Sequence, residues 1–102
     1  TDKKDIIEKT NVKLLYKVQI GTYLKSMLND QNFIDLKAEE HKINGTYRYY
    51  ISSDNNKSNA DTLKDRLREL GFNGAFIVAF LDGKQISTKE ALTLQNKLYI
   101  NE

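Results

Sequence analysis

Two segments with alternating apolar and polar residues constrain the fold of this chain more than any other feature. They read Tyr-Lys-Val-Gln-Ile at 16–20 and Thr-Tyr-Arg-Tyr-Tyr-Ile-Ser at 46–52. Strict alternation is typical of a β-strand with one buried side, because successive side chains point to opposite faces. The side predicted to face the core carries Tyr16, Val18, Ile20, Tyr47, Tyr49 and Ile51. The side predicted to face solvent carries Lys17, Gln19, Thr46, Arg48 and Tyr50.

The dipeptide Asn44-Gly45 is the strongest turn signal in the sequence. It separates the strand at 46–52 from a short, highly charged segment at 38–43. Asn-Gly favours a two-residue hairpin, because both central residues must adopt positive φ angles. The two segments are therefore predicted to pair antiparallel, with the charged segment at an edge of the sheet.

Helical periodicity is visible in three further segments. A weak apolar pattern predicts a helix within 24–36, and a clear apolar stripe predicts a second helix at 58–70. Ser58 and Asp61 are predicted to form the capping pair of this second helix. A third pattern predicts a terminal helix capped by Ser87.

A continuous apolar run at 75–81 predicts a buried strand. In it Phe76, Val78 and Phe80 alternate with Ile77, Ala79 and Leu81. The alternation does not decide which set faces the helices, although the larger side chains are favoured for the core. The element order predicts an α+β, βαββαβ fold. This is a four-stranded, largely antiparallel sheet with two helices on one face and a short C-terminal helical extension.

The domain organisation follows from that order. Residues 1–11 are predicted to be a flexible N-terminal segment, 12–87 the folded domain and 88–102 the C-terminal helical extension. A length of 102 residues suits one small domain. The chain begins with Thr1 and not with Met, which suggests a piece of a longer protein, so other domains of that parent are expected partners.

Composition excludes several classes of function. There is no cysteine and one histidine, so disulfides and thiolate or histidine-rich metal sites are ruled out, and no cofactor or metal is expected. The 16 basic and 14 acidic residues give a net charge of +2, too even a balance to indicate nucleic-acid binding. No apolar run is long enough to insert into a membrane. Asp61 and Asp65 are typical of solvated helix charges and not of a catalytic pair, so no enzymatic activity is predicted.

Four segments occur in an informative order. They read Tyr-Lys-Val-Gln-Ile-Gly-Thr-Tyr at 16–23, Thr-Tyr-Arg-Tyr-Tyr-Ile at 46–51, Leu-Arg-Glu-Leu-Gly-Phe at 67–72 and Gly-Ala-Phe-Ile-Val-Ala-Phe-Leu-Asp-Gly-Lys-Gln-Ile at 74–86. Together they resemble the SPOR (sporulation-related repeat) domain family. The last segment looks most like versions from Bacteroidetes-type bacteria.

The resemblance implies a non-catalytic domain that binds bacterial cell-wall peptidoglycan, with a preference for glycan strands stripped of stem peptides. Such a domain localises a larger envelope protein to sites of wall processing or cell division. The expected location is the periplasm or cell envelope of a Gram-negative bacterium. By position, the family's strand-one glutamine falls on Gln19 and its strand-three arginine on Arg48. The predicted glycan-binding residues are Gln19, Arg48, Tyr50, Thr46, Tyr23 and Lys17, with the two tyrosines as candidates for stacking on sugar rings.

Other interpretations of the same residues stay open. Gln19 and Arg48 also fit a plain solvated sheet face with a cross-strand polar pair. A protein–protein interaction module that binds no glycan is the alternative function. RNA-recognition modules share the strand order, but this chain lacks their glycine–aromatic signature. The family pattern is not matched at Leu24, Thr46 and Ser52-Ser53, at the rim of the expected groove.

Overall fold

The structure, a computed structural model, describes residues 13–99, so the segment predicted to be flexible at 1–11 and residues 100–102 lie outside it. Within that range the elements are β1 (Leu14–Tyr23), α1 (Gln31–Asp35), β2 (Glu39–Ile43), β3 (Thr46–Ser52), α2 (Lys57–Glu69), β4 (Phe76–Leu81), β5 (Lys84–Ile86) and α3 (Thr88–Tyr99). The strands form one curled antiparallel sheet in the order β2-β3-β1-β4-β5. The predicted α+β class with an antiparallel sheet is confirmed.

β5 is a strand that the sequence pattern does not predict. Asp82 and Gly83 adopt φ angles of 51° and 85°, and the chain turns back so that Lys84 pairs with Leu81. Three residues are too few to show a period, so this segment has no strand signal of its own. The predicted four-stranded sheet was therefore one strand short.

The hairpin between β2 and β3 forms as predicted. Asn44 and Gly45 have φ angles of 50° and 79°, and Ile43 pairs with Thr46 across the turn. Asn and Gly tolerate this left-handed conformation better than other residues. The turn fixes β2 as an edge strand beside β3.

The helix predicted within 24–36 is reduced to α1. Asp30 has an extended backbone, and its side chain accepts a hydrogen bond from the Asn32 backbone N–H at 2.9 Å, so the helix begins after it. The residues before it form an irregular loop, which leaves Leu24 83% and Leu28 49% exposed. The described range therefore holds three helices, where two helices and an extension were predicted.

The helices pack on one side of the sheet and form its core there. α1 buries Phe33, and α2 buries Leu67, in a cluster with Val18, Ile20, Tyr49 and Ile51. α2 is capped by Asn56, whose side chain accepts a hydrogen bond from the Ser58 backbone N–H at 2.8 Å. The predicted capping pair of Ser58 and Asp61 was wrong, because the helix begins one residue earlier, at Lys57.

α3, predicted as an extension, packs on a second buried cluster of the helix side. Ala91 is fully buried, in a cluster with Leu14, Tyr16, Ala60 and Ala79. As predicted, the Ser87 hydroxyl accepts a hydrogen bond from the Glu90 backbone N–H at 3.0 Å. The Gln95 side chain also accepts a hydrogen bond, at 3.0 Å, from the backbone N–H of Lys57 in α2. The helix predicted as an extension therefore packs on the rest of the fold through Ala91 and Gln95.

Candidate functional site

The side of the sheet opposite the helices is called here the uncovered face. Strand register decides which side chains share it: Tyr50 lies opposite Gln19, which in turn lies opposite Phe76. Among residues 13–99 the strand pairing assigns to this face Leu15, Lys17, Gln19, Thr22, Glu39, His41, Ile43, Thr46, Arg48, Tyr50, Ser52, Phe76, Val78, Phe80 and Gln85. It is therefore a mixed surface, on which apolar and aromatic side chains lie between charged and polar ones.

Most of the predicted site residues lie together on this face. They are Lys17, Gln19, Thr46, Arg48 and Tyr50. The alternation predicted for 16–20 and 46–52 is confirmed, because Tyr16, Val18, Tyr49 and Ile51 are buried on the helix side. The Thr46 hydroxyl donates to the Ile43 carbonyl at 2.7 Å, so it supports the hairpin turn.

Tyr23 is not brought together with the others. The pairing of β1 with β3 skips one residue after Gln19, which is a β-bulge, and the alternation shifts by one position. Tyr23 therefore faces the helices, where its ring lies edge-on to Phe33 with 5.7 Å between centroids. Gly21 permits this arrangement, since a Cβ there would lie 2.7 Å from the Tyr23 hydroxyl oxygen.

Tyr50 lies on the uncovered face but is only 2% exposed. The Lys17 ammonium lies 6.0 Å from the Tyr50 ring centroid and 4.9 Å from that of Phe80. It is held there by an ion pair with Glu39 at 2.7 Å. The rings of His41 and Phe80 meet Tyr50 edge-on, at centroid distances of 4.9 and 5.9 Å. The sequence suggested that Tyr50 stacks on a sugar ring, but in this arrangement its ring is not accessible for stacking.

The phenylalanines of β4 face outward. Phe76 and Phe80 lie opposite Gln19 and Leu15 of β1, on the uncovered face. The helix side takes the smaller set, and there Ala79 lies in a buried cluster with Ala60 of α2 and Ala91 of α3. The core location favoured for the larger side chains was therefore wrong. Phe76 is 46% exposed and takes the place expected of Tyr50 as an accessible ring.

Gln19 and Arg48 are two predicted site residues of this face whose polar groups stay available within the described range. Both are half-buried, and the hydrogen bonds and ion pairs found among residues 13–99 use neither the amide nor the guanidinium. Arg48 lies opposite Thr22 of β1 and His41 of β2. Glutamine supplies donors and an acceptor, and arginine supplies a planar fork of donors suited to carboxylates.

A groove of about 300 Å³ opens at one end of the uncovered face. It is lined by Lys13, Leu15, Lys17, His41, Phe80, Asp82 and Gly83. Of the predicted site residues it contains Lys17 alone. His41 and Phe80 were missed, because a lone histidine carries no motif and the run at 75–81 did not show its outward side. Only the strand pairing brings them together.

A second groove, of about 260 Å³, lies on the helix side. It is lined by Asn32, Asp35, Leu36, Leu70 and Phe72. Beside it Ile34 is 50% and Leu70 61% exposed. This surface is apolar with an acidic rim, and it is separate from the uncovered face.

Among residues 13–99, Glu40 is the carboxylate with a perturbed pKa. Its Oε2 accepts hydrogen bonds from the Ser26 hydroxyl and from the Tyr49 hydroxyl, both at 2.6 Å. These two bonds, led by that from Ser26, hold the pKa of Glu40 below its ordinary value. Glu40 points to the helix side and ties β2 to the loop before α1, so it is a structural group.

The described range was also compared with the requirements of a metal site and of a membrane-spanning helix. Residues 13–99 contain no group of histidine, cysteine or acidic side chains that could hold a metal ion. None of the helices in the same range is long and apolar enough to cross a bilayer. Comparisons with family models, with curated proteins and with solved structures gave no match for this chain.

Proposed function

We propose that the uncovered face binds glycan strands of bacterial peptidoglycan and catalyses no reaction. The preferred form is the strand stripped of its stem peptides. Binding would hold a larger envelope protein at sites of wall processing or division, in the periplasm or cell envelope of a Gram-negative bacterium. The observation that carries the proposal is that one sheet face holds the exposed ring of Phe76, the adjacent Gln19 amide and the Arg48 guanidinium, and that these two polar groups have no partner among residues 13–99.

This combination suits a carbohydrate. A sugar ring has an apolar C–H side that packs on an aromatic ring such as Phe76, and hydroxyls that need hydrogen-bond partners. Gln19 lies directly opposite Phe76, so one sugar can contact both. The groove at Lys17 and Phe80 extends the same surface along the sheet.

The preference for stripped strands has a chemical reason. Removing the stem peptides leaves a free carboxylate on alternate sugars, and Arg48 offers it a charge-assisted, two-pronged hydrogen bond. Intact stems replace that carboxylate with an uncharged amide and add bulk next to the strand. The four ordered sequence motifs support the same ligand.

A protein–protein interaction module is the second candidate, and a different surface favours it. Exposed large apolar residues away from the uncovered face include Leu24, Leu28, Ile34 and Leu70. Such residues mark a contact surface when they are contiguous. A partner there would leave the uncovered face free.

Co-sedimentation with purified sacculi tests the glycan proposal, with and without amidase treatment to remove stem peptides. The variants are Gln19→Ala, Arg48→Ala and Phe76→Ala. Arg66→Ala is the matched control, because Arg66 is exposed on the last turn of α2, on the helix side. We expect wild type and Arg66→Ala to pellet more on stripped wall. Each face variant should bind about 5- to 50-fold more weakly, the range for one lost charged or aromatic contact.

The possible results separate the two candidates. Equal pelleting of all four variants would place the binding site elsewhere on the domain. No pelleting of the wild type on either wall would end the glycan proposal and leave the interaction module. Self-association or partner binding that is lost in Leu70→Ser, but kept in Arg48→Ala, would support the second candidate.

A further inference from the structure

The Lys17–Glu39 ion pair crosses over a strand that belongs to neither residue. Lys17 is on β1 opposite Ser52 of β3, and Glu39 is on β2 opposite Tyr50 of β3. The contact at 2.7 Å therefore bridges β1 and β2 above β3. Tyr50 lies beneath it and between the rings of His41 and Phe80, so the ion pair is one part of what buries this ring although no helix covers the face.

The two side chains of this ion pair differ in their exposure to solvent. The Glu39 side chain is 44% exposed, whereas that of Lys17 is 12% exposed and rests against the rings of Tyr50 and Phe80. A partly solvated ion pair contributes little net free energy, so it opens readily. Once Glu39 has moved away, the Lys17 ammonium stays close to the aromatic rings, which attract a cation.

Opening changes the shape of the uncovered face. Tyr50 separates the groove at Phe80 from the polar residue Gln19, with which it pairs directly. With the bridge in place, the groove and Gln19 are two surfaces divided by the Lys17 and Glu39 side chains. Without it, the rings of Phe80, Tyr50 and Phe76 become one apolar floor flanked by Lys17 and Gln19.

We propose that the Lys17–Glu39 ion pair is an autoinhibitory strap, and that a carboxylate of the bound glycan replaces Glu39 on Lys17 and uncovers Tyr50. This proposal rests on the proposed function. The strap makes binding selective for acidic glycan, because a neutral chain of the same backbone has no group to replace Glu39. An N-acetylglucosamine oligomer therefore binds more weakly than a stripped peptidoglycan strand.

The first measurement follows the strap without any glycan. Solvent exposure of the Tyr50 ring is measured by NMR with a neutral paramagnetic probe, and its signal is assigned with Tyr50→Phe. Glu39→Gln is compared with Glu69→Gln, which makes the same change at an exposed position at the end of α2. We expect Tyr50 to become more exposed in Glu39→Gln only. Wild type at about 0.5 M NaCl, where the Debye length is a few Å, should shift the same way.

The second measurement is binding of amidase-stripped strands and of N-acetylglucosamine oligomers. Glu39→Gln should bind stripped strands about two- to fivefold more tightly than wild type, the range set by a partly exposed ion pair. Lys17→Met should bind them more weakly, although it breaks the same bridge. If the ion pair only stabilised the fold, both substitutions would change the affinity for stripped strands in the same direction. The affinity for N-acetylglucosamine oligomers should also rise in Glu39→Gln. The ratio of the affinity for stripped strands to the affinity for oligomers should therefore fall.

Contrary results are equally clear. If Tyr50 stays buried in Glu39→Gln, the ion pair is not a cover and the proposal is overturned. If Tyr50 is uncovered but stripped strands bind Glu39→Gln no better than wild type, the autoinhibitory role is overturned. If no variant binds any strand, the proposed function fails and the glycan is excluded as the displacing anion. The exposure of Tyr50 still decides whether the strap exists.

Discussion

Two tyrosines in the core differ in whether their buried hydroxyl has hydrogen-bond partners. The Tyr49 hydroxyl donates to Glu40 and accepts from the Met27 backbone N–H. The Tyr16 hydroxyl, in a side chain that is fully buried, has no hydrogen-bond partner among residues 13–99. Burial, followed by the nearby charge of Asp61, raises the pKa of Tyr16. A buried polar group without a partner costs free energy that an apolar group of the same shape does not.

We therefore predict opposite effects for the same substitution at these two positions. Tyr16→Phe should leave the free energy of unfolding unchanged or raise it by about 1 kcal/mol, because it removes an unpaired hydroxyl. Tyr49→Phe should lower it by about 1–2 kcal/mol, because two partners lose their bond. Urea denaturation of both variants measures the difference. Equal losses would mean that the Tyr16 hydroxyl is satisfied in solution.

At the scale of elements, the loop between β1 and α1 depends on β2. Ser26 donates to Glu40, and Tyr49 donates to the same oxygen while it accepts from the Met27 backbone N–H. One carboxylate therefore positions a loop that lacks regular structure of its own. The hydrogen bonds hold the pKa of this carboxyl low, so the folded structure is more stable when Glu40 is ionised.

This arrangement predicts a stability that declines in acid. The pKa of Glu40 is lower in the folded chain than in the unfolded chain, so its contribution is complete above the ordinary value of 4.5. It is lost as pH falls through the lower folded value. Glu40→Gln should lower the urea midpoint at neutral pH and flatten its decline between about pH 5 and pH 3. Glu69→Gln is the control and should retain the wild-type slope.

What the sequence could reveal at this scale depended on the length of the pattern. Alternation over five or more residues assigned Gln19 and Arg48 to one face without the structure. It failed at Tyr23, because a bulge is a one-residue event with no period. The alternation could not show which way Phe76 faces, because in an unbroken apolar run both sets of alternating side chains are apolar. The cover over Tyr50 joins residues of two strands that are not neighbours, and only the register shows it.

At the scale of the whole molecule, the terminal helix closes the core. Ala91 of α3 is fully buried and lies in one cluster with Ala60 of α2 and Ala79 of β4, so three elements contribute to the same part of the core. Leu94 and Ile86 pack beside them. Within residues 13–99 the sheet and its helices are thus expected to unfold as one cooperative unit.

A chain shortened to end at Ser87 tests this expectation. It should lose about 3 kcal/mol or more of unfolding free energy, or fail to fold, because the apolar contacts of α3 are removed. Chemical denaturation followed by circular dichroism gives the measurement. Leu92→Ala, at a position 39% exposed, is the control and should change stability by less than about 1 kcal/mol. A shortened chain of wild-type stability would make α3 an appendage.

The central position of β1 has a further consequence, for the timing of folding. β1 is the first strand of the sheet in sequence, yet it lies between β3 and β4, so its second neighbour ends only at Leu81. Contacts between residues so far apart in the chain slow folding, because a large loop must close first. A chain that emerges gradually from a ribosome or a translocation channel holds β1 without its second partner, β4, until nearly all of the domain has followed. The complete sheet then forms late, after β4 has emerged. Chaperones that bind extended apolar segments can bind β1 for longer than any later strand.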